Sequence, residues 1–442
     1  MKVAPFRRSL VQLLGVLLAS LAAPPLLWAQ ANMTRPVVES TGRVAIPGIA
    51  DSAWYEVYVP VAKPQAVMVF IDRGLDQYAY DDRDWRSMCV RARCALFRIG
   101  FPRRDGAPAT QQPTRNAASG SGEALMTALR DAAARTRSPD LATAGLVFFG
   151  FSAAGNFGIT FAALHPERTI GVIHYHSNMR GIPLDSATVA RIPTLSISGE
   201  KDDIAGTADA DSLWRAMRAR HGPWAWIAQV QQPHWSVDGL IDAGFVMRSW
   251  TEQLIAHRAS GDARARVSVA PTDGWIVSAA GLIATPQNQR ARTDTSASSW
   301  LPNGNVALGF RQLAGTCRSV GLPLAQRILR DSATVASEDT QVCRYSTPAS
   351  KRDLWVSVYR RGSDSAAVQQ LATSLPAGKT SPVRIADGIR GVFIADASSS
   401  CSTVGITRLA YIYLVTACGS GFGVASDSVQ LAGVARRAGG FP

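Results

Sequence analysis

Short apolar segments recur along the first 260 of the 442 residues, and segments with helical spacing separate most of them. The runs 66–71 (AVMVFI) and 145–149 (GLVFF) contain no polar side chain, as is typical of strands buried on both faces. Strands are predicted over 54–61, 66–71, 94–99, 145–149, 170–175, 194–198 and 224–230. Helices are predicted over 120–137, 152–164, 209–220 and 245–257. Strands that alternate with helices predict a doubly wound, mostly parallel α/β sheet.

The first 31 residues have the pattern of a secretory signal. Basic residues at positions 2, 7 and 8 precede an apolar stretch over 10–27, and Ala29-Gln30-Ala31 places small residues where a signal peptidase reads them. Cleavage is predicted after Ala31, so the mature protein is expected in the periplasm or outside the cell. The alternative is a permanent N-terminal anchor.

A second uncharged stretch, over 143–165, is long enough to span a bilayer. Glycines at positions 145, 150, 155 and 158 interrupt it where a strand–turn–helix unit would need them. We therefore predict that this stretch is part of the sheet domain and does not cross a membrane.

The charge is strongly positive, with 46 basic residues against 33 acidic ones and a net charge of +13. Almost all of the basic residues are arginines, scattered singly or in pairs, and no run of like charges with interleaved aromatic residues is present. We expect no nucleic-acid partner. A dispersed positive surface suits peripheral contact with an anionic cell envelope.

The chain has six cysteines, and in an exported protein an even number predicts disulfides. Fifteen pairings are open in principle. Proximity in the sequence favours the pairs Cys89–Cys94, Cys317–Cys343 and Cys401–Cys418. A cysteine metal site is disfavoured, because Cys-x-x-Cys spacing is absent and no histidine follows His257. Neither a metal nor a cofactor is expected.

The residues Gly150-Phe151-Ser152-Ala153-Ala154-Gly155 join a predicted buried strand to a predicted helix. A serine in such a turn projects its hydroxyl above the sheet edge, and its neighbours two positions away must be small. Gly150 and Ala154 meet that need, although the usual G-x-S-x-G pattern ends in glycine. Ser152 is therefore a candidate nucleophile.

A serine nucleophile needs a base, and the base needs an acid that orients it. In this arrangement the chain order is serine, acid, histidine, on loops after successive strands. Asp202 follows the predicted strand over 194–198, with Asp203 as the fallback, and His234 follows the predicted strand over 224–230. We predict a triad of Ser152, Asp202 and His234.

These motifs, GFSAAG, PTLSISGEKD and QPHWS, resemble those of the α/β-hydrolase superfamily, over roughly residues 50–257. Within it, the chain is similar to secreted esterases related to polyhydroxyalkanoate depolymerases and dienelactone hydrolases. The resemblance implies an acyl-enzyme mechanism, in which Ser152 attacks an ester carbonyl and the Ala153 N–H is the first oxyanion donor. It implies a second donor in the loop after 66–71, where many relatives carry His-Gly. Here that loop is Asp72-Arg73-Gly74, so Arg73 and Gly74 are the candidates.

Three further residues near these loops have two interpretations. Trp235 and His176 are candidates for a substrate pocket, but packing roles explain them as well. His174 is weighed together with His176: one of the two is a candidate for substrate contact, and packing in the core or a lid is favoured.

The last third of the chain has a different pattern. Residues 261–312 are assigned to a connector attached to the hydrolase domain (32–312), and 313–442 to a small α+β domain with its own disulfides. Helices are predicted there over 317–329, 363–375 and 427–437, and strands over 342–345, 354–360, 391–395 and 410–416. This domain resembles small exported α+β modules of actinobacterial lipoproteins. Substrate or envelope binding and stabilisation of the enzyme are the two roles considered.

Two classes of function follow. The first is a secreted serine hydrolase that cleaves a small-molecule or polymeric carboxylic ester. The alternative is a non-catalytic envelope- or polymer-binding protein with a degenerate hydrolase fold, or, within the enzyme class, a serine peptidase. The intact set of Ser152, Asp202 and His234 favours the esterase.

Overall fold

The computed structural model describes residues 37–178, 186–259, 273–279, 282–289, 297–360, 366–367, 371, 380–386, 389–396, 400–422 and 427–440. The predicted signal over 1–31 lies outside these residues, as does most of the helix predicted over 363–375. None of the helices in the described ranges is long and apolar enough to cross a membrane.

An eight-stranded sheet forms the centre of the first 230 residues. Its strands are β1 (Val38–Ile46), β2 (Ile49–Val59), β3 (Ala66–Ile71), β4 (Cys94–Gly100), β5 (Gly145–Phe151), β6 (Thr169–Tyr175), β7 (Thr194–Gly199) and β8 (Trp224–Gln229). They lie in the order β1-β2-β4-β3-β5-β6-β7-β8. Strands β3 to β8 are parallel, whereas β2 pairs antiparallel with β1 and β4. The predicted mostly parallel sheet is confirmed.

Helices cover both faces of this sheet, which is why every residue of β3 to β7 is buried. The helices are α1 (Leu75–Asp81), α2 (Arg83–Ala92), α3 (Ser121–Thr136), α4 (Gly155–Leu164), α5 (Ser186–Val189), α6 (Ala208–Ala219) and α7 (Val237–Arg258). One apolar cluster lies on the α3 and α4 side and includes Leu125 and Phe161. The other lies on the α2 and α7 side and includes Trp85 and Trp250.

The structure adds elements that the sequence pattern did not predict. Strand β1 was missed because every second residue is exposed and only Val44 and Ile46 are buried, so it carries little apolar signal. Helices α1 and α2 fill the connection between β3 and β4. Helix α7 begins eight residues before the predicted position 245, with the Ser236 hydroxyl accepting the N–H of Gly239 at 2.8 Å. Gly239 and Gly244 lower the helix propensity of that first part and so hid it.

The C-terminal third is built on antiparallel sheets. A small sheet has the order β10-β9-β11, and a seven-stranded sheet has the order β12-β13-β14-β18-β17-β16-β15. The strands are β9 (Trp275–Ser278), β10 (Ala284–Pro286), β11 (Ser298–Leu301), β12 (Thr334–Glu338), β13 (Val342–Thr347), β14 (Arg352–Arg360), β15 (Thr380–Ala386), β16 (Ile389–Asp396), β17 (Cys401–Arg408) and β18 (Tyr411–Cys418). The helices are α8 (Gly304–Gln312), α9 (Thr316–Val320), α10 (Leu322–Leu329) and α11 (Asp427–Ala438).

The predicted α+β character of this region is confirmed, with two differences. The single helix predicted over 317–329 is two helices, because Gly321 lies between them with a φ of 83°. Strands β9 to β12, β15 and β17 were not predicted. The domain boundary at residue 313 stays a prediction, since one apolar cluster continues from Trp250 of α7 through Leu308 of α8 to Tyr413 of β18.

Three disulfides join residues that are near in sequence. Cys89 of α2 bonds Cys94 of β4, and Cys317 of α9 bonds Cys343 of β13. The third, Cys401–Cys418, links directly paired residues of β17 and β18. These are the pairings that proximity in the sequence favours, and three disulfides are consistent with an exported protein.

Candidate active site

Ser152 lies at the sharp turn between β5 and α4, at the carboxyl edge of the sheet. Its backbone has a φ of 54°, a conformation that a serine adopts only when its surroundings hold it there. A Cβ added at Gly150 would lie 2.3 Å from the carbonyl oxygen of Ala154, so this position requires glycine. Ala154 is fully buried in the apolar cluster on the α3 and α4 side of the sheet. Its methyl group packs there, which explains why alanine is tolerated where the usual pattern has glycine.

Ser152, His234 and Asp202 form a continuous chain of hydrogen bonds. Ser152 Oγ lies 2.9 Å from His234 Nε2, and His234 Nδ1 lies 2.9 and 3.0 Å from the two carboxylate oxygens of Asp202. An ionised carboxylate only accepts, so it assigns the proton of the neutral ring to Nδ1. Nε2 then accepts a hydrogen bond from the serine hydroxyl, which is the arrangement that general-base catalysis requires.

The loop after β7 holds the Asp202 side chain in place. Asp202 Oδ1 accepts the backbone N–H groups of Ile204 at 3.0 Å and Ala205 at 2.8 Å. The side chain of Asp202 has no exposed surface, and that of His234 is 8% exposed. The fallback, Asp203, is exposed and has no hydrogen bond to His234 in the described part of the chain. Asp202 is therefore the acid that the fold brings to His234.

The two histidines after Ile173 are packing residues of the core. His174 Nδ1 lies 3.2 Å from Ser196 Oγ, and burial lowers the pKa of His174 to about 4. His176 is also fully buried, and its Nδ1–H donates to the backbone carbonyl of His234 at 2.8 Å. Burial lowers the pKa of His176 as well. Burial and the hydrogen bond to the His234 loop favour the packing interpretation of His176 over the substrate-pocket one, which stays a prediction.

The loop after β3 lies across from the serine turn, and a buried carboxylate organises it. The backbone N–H groups of Arg73 and Gly74 both donate to Asp76 Oδ1, at 2.7 and 2.6 Å. These two N–H groups are therefore directed at a protein carboxylate. The prediction that Arg73 or Gly74 offers the second oxyanion donor is corrected on this ground.

Asp76 is itself held by Arg98, which projects from the buried strand β4. Arg98 Nε donates to Asp76 at 2.6 Å, and its two terminal nitrogens donate to Glu56 at 2.9 Å and Asp72 at 2.8 Å. Burial opposes the charge on Arg98, but the hydrogen bond and charge of Asp76 raise its pKa. Burial and the charge of Asp76 raise the pKa of Asp72. This ion cluster fixes the position of the loop beside Ser152.

One concave region is lined by Ser152, and a second lies at Trp235, the residue after His234. A cavity of about 230 Å³ is lined by Arg115, Ser152, Ala153, Ser177, Asn178, Ile204 and Ala205. A larger groove of about 530 Å³ is lined by Gly74, Gln77, Tyr78, Asp81, Asp82 and Trp235. Trp235 and Tyr78 are 53% and 55% exposed, so the groove presents two aromatic surfaces to solvent. Trp235 also packs edge-to-face on Phe151, with ring centroids 5.2 Å apart, so its role as a pocket wall stays a prediction.

Sequence reasoning missed Asp76, Arg98 and Arg115. A signal existed for Arg98, because a lone charge inside the apolar run 94–99 needs buried partners. Asp76 also had a local signal, since an aspartate two or three residues after a turn can accept its N–H groups. Arg115 lies in a long irregular connection, where no periodic pattern indicates which residues reach the site.

The order of the eight strands, with a strained serine directly after β5, an acid after β7 and a histidine after β8, defines the α/β-hydrolase fold. No protein-family model matches the chain, and no curated protein does. The fold assignment rests on this chain's own strand order and serine turn.

Solved structures similar to this chain include esterases and an α/β hydrolase. An esterase domain from Rhodothermus marinus is 15% identical over 49% of this chain and 100% of its own, with a TM-score of 0.35. An α/β hydrolase from a Medee basin deep-sea metagenome library is 13% identical over 49% and 98%, with a TM-score of 0.37. An esterase from Pyrococcus furiosus is 10% identical over 50% and 92%, with a TM-score of 0.38.

Proposed function

We propose that this protein is an exported serine hydrolase that cleaves carboxylic esters through an acyl-enzyme. The observation that carries the proposal is the hydrogen-bonded chain from Ser152 Oγ through His234 to Asp202, which begins at a serine with strained backbone geometry. A serine hydroxyl alone is a weak nucleophile, and this chain supplies the base and its orienting acid.

In the first half of the reaction, Ser152 Oγ attacks the ester carbonyl while His234 Nε2 takes the hydroxyl proton. Asp202 stabilises the imidazolium that forms, and His234 then gives the proton to the departing alkoxide. In the second half, His234 takes a proton from water, the hydroxide attacks the acyl-serine, and Ser152 recovers its proton. Each half passes through a tetrahedral intermediate with a negative oxygen.

The N–H of Ala153 is the proposed donor to that oxygen. Ala153 directly follows Ser152 and precedes α4, whose amino end adds partial positive charge at the same place. A donor from Arg73 or Gly74 is not part of the proposal, because Asp76 accepts both of those N–H groups.

An open groove with two exposed aromatic residues supports an ester substrate with a bulky group. Trp235 and Tyr78 offer flat apolar surfaces against which a ring or a polymer segment can pack. Small-molecule and polymeric esters both fit this description, and aryl esters of increasing chain length beside a polymeric ester would separate them.

A fluorophosphonate probe on the mature protein tests the proposal. We expect wild type and a Ser87→Ala control, which changes an exposed helical serine, to be labelled, and Ser152→Ala to be unlabelled. Asp202→Asn is expected to lower kcat by several orders of magnitude, whereas Asp203→Asn leaves it near wild type. Labelling that persists in Ser152→Ala would overturn the assignment, as would equal kcat values for the two aspartate variants. An unlabelled wild type would favour a non-catalytic binding protein.

A further inference from the structure

His176 directly follows β6, at the carboxyl edge of the sheet. Strand β6 lies between β5, which leads to Ser152, and β7, which leads to Asp202. The backbone of His176 has a φ of 44°, and its N–H donates to the Ile197 carbonyl of β7 at 2.7 Å. A residue other than glycine keeps such a conformation only where its surroundings hold it, and residues of this kind cluster at functional sites. His176 is therefore a candidate for a role in the reaction.

The side chain of His176 holds the backbone of the proposed base. Its Nδ1 lies 2.8 Å from the backbone carbonyl oxygen of His234, and a carbonyl oxygen only accepts, so Nδ1 carries a proton and donates it. The ring is fully buried, and burial lowers the pKa of His176, which keeps the ring neutral near neutral pH. His176 is therefore a neutral hydrogen-bond donor inside the protein.

Neighbouring rings and a glycine hold His176 in this orientation. Its ring stacks on Tyr175 with centroids 4.1 Å apart. The ring of Phe151 lies 6.5 Å from His176 and 5.0 Å from His234. A Cβ added at Gly199 would lie 3.1 Å from His176 Cε1, so the absence of a side chain there leaves room for the imidazole. The donor therefore has little freedom to rotate away from His234.

The loop that carries His234 depends on individual hydrogen bonds. Residues 230–236, all of them described, connect β8 to α7 without a helix or strand of their own. At the start of this loop the Val230 N–H donates to the Leu313 carbonyl at 2.7 Å. The hydrogen bond from His176 is made at His234 itself, so it acts on the residue that supplies the base.

We propose that His176 is a positioning residue: by holding the backbone carbonyl of His234, it keeps the imidazole in line between Ser152 and Asp202. This inference rests on the proposed ester hydrolysis and adds a residue that acts through His234 without touching the substrate. The His234 ring lies 2.9 Å from Ser152 Oγ and 2.9 and 3.0 Å from the oxygens of Asp202, and proton transfer requires distances in this range. A displacement of about 1 Å at such a site can lower the rate by about a hundredfold.

Variants at residue 176 separate the donor from the backbone conformation. In His176→Asn the amide nitrogen takes the place of Nδ1 as donor, and asparagine tolerates a positive φ. In His176→Gly the backbone conformation is also allowed, but the donor is gone. His174→Ala is the matched control, because His174 is an equally buried histidine of β6 whose Nδ1 lies beside Ser196 Oγ.

With a 4-nitrophenyl ester, His176→Gly is expected to lower kcat by about tenfold to a hundredfold and to leave KM within about twofold of wild type. His176→Asn and His174→Ala should each keep kcat within about threefold of wild type. The rate of fluorophosphonate labelling at Ser152 should fall in His176→Gly in proportion to kcat, because both reactions need the base.

Urea unfolding verifies that each variant is folded under the assay conditions. If His176→Gly does not fold, His176→Gln replaces it. The glutamine amide is one bond longer than that of asparagine and places its donor away from the Nδ1 position, so the same loss of kcat is expected.

Three outcomes overturn the positioning role. Equal kcat values for His176→Asn and His176→Gly would show that the donor does not matter. A rise in KM at unchanged kcat would assign His176 to the substrate pocket. An equal loss of kcat in His176→Gly and His174→Ala would mean that any cavity behind the triad suffices. In each of these cases wild type is still labelled and still hydrolyses the ester, whereas a wild type that does neither removes the proposed function as well.

Discussion

Asp76 Oδ1 accepts the backbone N–H of Gly74 at 2.6 Å, and Asp76 Oδ2 accepts the Nε–H of Arg98 at the same distance. A buried carboxylate thus connects the loop beside Ser152 to the interior of the sheet. Gly74 directly precedes α1, has a φ of 109° and offers no side-chain cap, so the hydrogen bonds to Asp76 hold the loop in this conformation.

We predict that Asp76→Asn destabilises the protein by about 2 kcal/mol, because it weakens a buried charge pair while leaving Arg98 with its other partners. Activity is expected to fall as well, since the loop that borders the groove loses its anchor. Urea unfolding and ester hydrolysis measure the two effects. Asp105→Asn is the control, because Asp105 is exposed and its carboxylate lies 3.1 Å from Arg103 Nε in a surface ion pair. Equal stabilities for the two variants would contradict the assigned role of Asp76.

We predict that Gly74→Ala impairs the site through two separable effects. A Cβ at residue 74 would lie 2.2 Å from the Trp235 ring, and its φ of 109° is unfavourable for alanine. The backbone effect alone is expected to be about 1–3 kcal/mol. Adding Trp235→Ala to Gly74→Ala should relieve the clash and recover part of the lost stability. If the double variant is less stable than the two single changes together predict, the Trp235 contact is not the source of the clash.

The buried His174 predicts a pH dependence of stability. Its pKa is about 4 in the folded protein, against about 6.5 for an unfolded histidine. Between these values the unfolded chain binds a proton that the folded chain does not, so stability falls as the pH falls from about 6.5 to about 4. The contribution is about 3 kcal/mol at most.

Urea unfolding at several pH values is the measurement for this prediction. His174→Gln should flatten the decline between pH 6.5 and 4, whereas His221→Gln, a change at an exposed histidine, should leave it as in wild type. Carboxylates that titrate near pH 4 contribute equally to all three proteins. Parallel pH profiles for wild type and His174→Gln would show that another group is responsible.

The two disulfides with fully or nearly fully buried cysteines offer a matched comparison. Cys89–Cys94 closes a separation of five residues and Cys317–Cys343 one of 26. Because the loss of chain entropy in the unfolded state grows with loop length, replacing the second pair by serines should cost about 3.5 kcal/mol and replacing the first about 2 kcal/mol. Calorimetric unfolding of the two double variants measures the difference. The reverse order would indicate that local strain or packing outweighs chain entropy.

Much of the fold was predictable from local patterns. The continuous apolar run of β3 and the uncharged strand–turn–helix around Ser152 each carry their structure in a few neighbouring residues, because burial on both faces excludes polar side chains. Strand β1 and the first turns of α7 were not predictable in this way. Their stability comes from packing against other elements, and their own residues are half exposed or rich in glycine.

The same division applies to the candidate site. The residue types and chain order of Ser152, Asp202 and His234 are available from the sequence, since a parallel sheet brings the loops after its strands to one edge. The choice of Asp202 over Asp203 required the tertiary structure, because one residue along a loop decides whether a carboxylate points at His234 or into solvent.

The sequence by itself determined an alternating α/β chain, a serine at a strand–helix turn and an acid and a histidine that follow it in order. Only the tertiary structure decided that Asp76 accepts the N–H groups of the loop after β3, that His176 supports His234 from the core, and that Arg115 shares a cavity with Ser152. The physical reason is distance along the chain. Apolar periodicity is a property of neighbouring residues, whereas a hydrogen bond or a charge in a cavity depends on how segments far apart in sequence pack together.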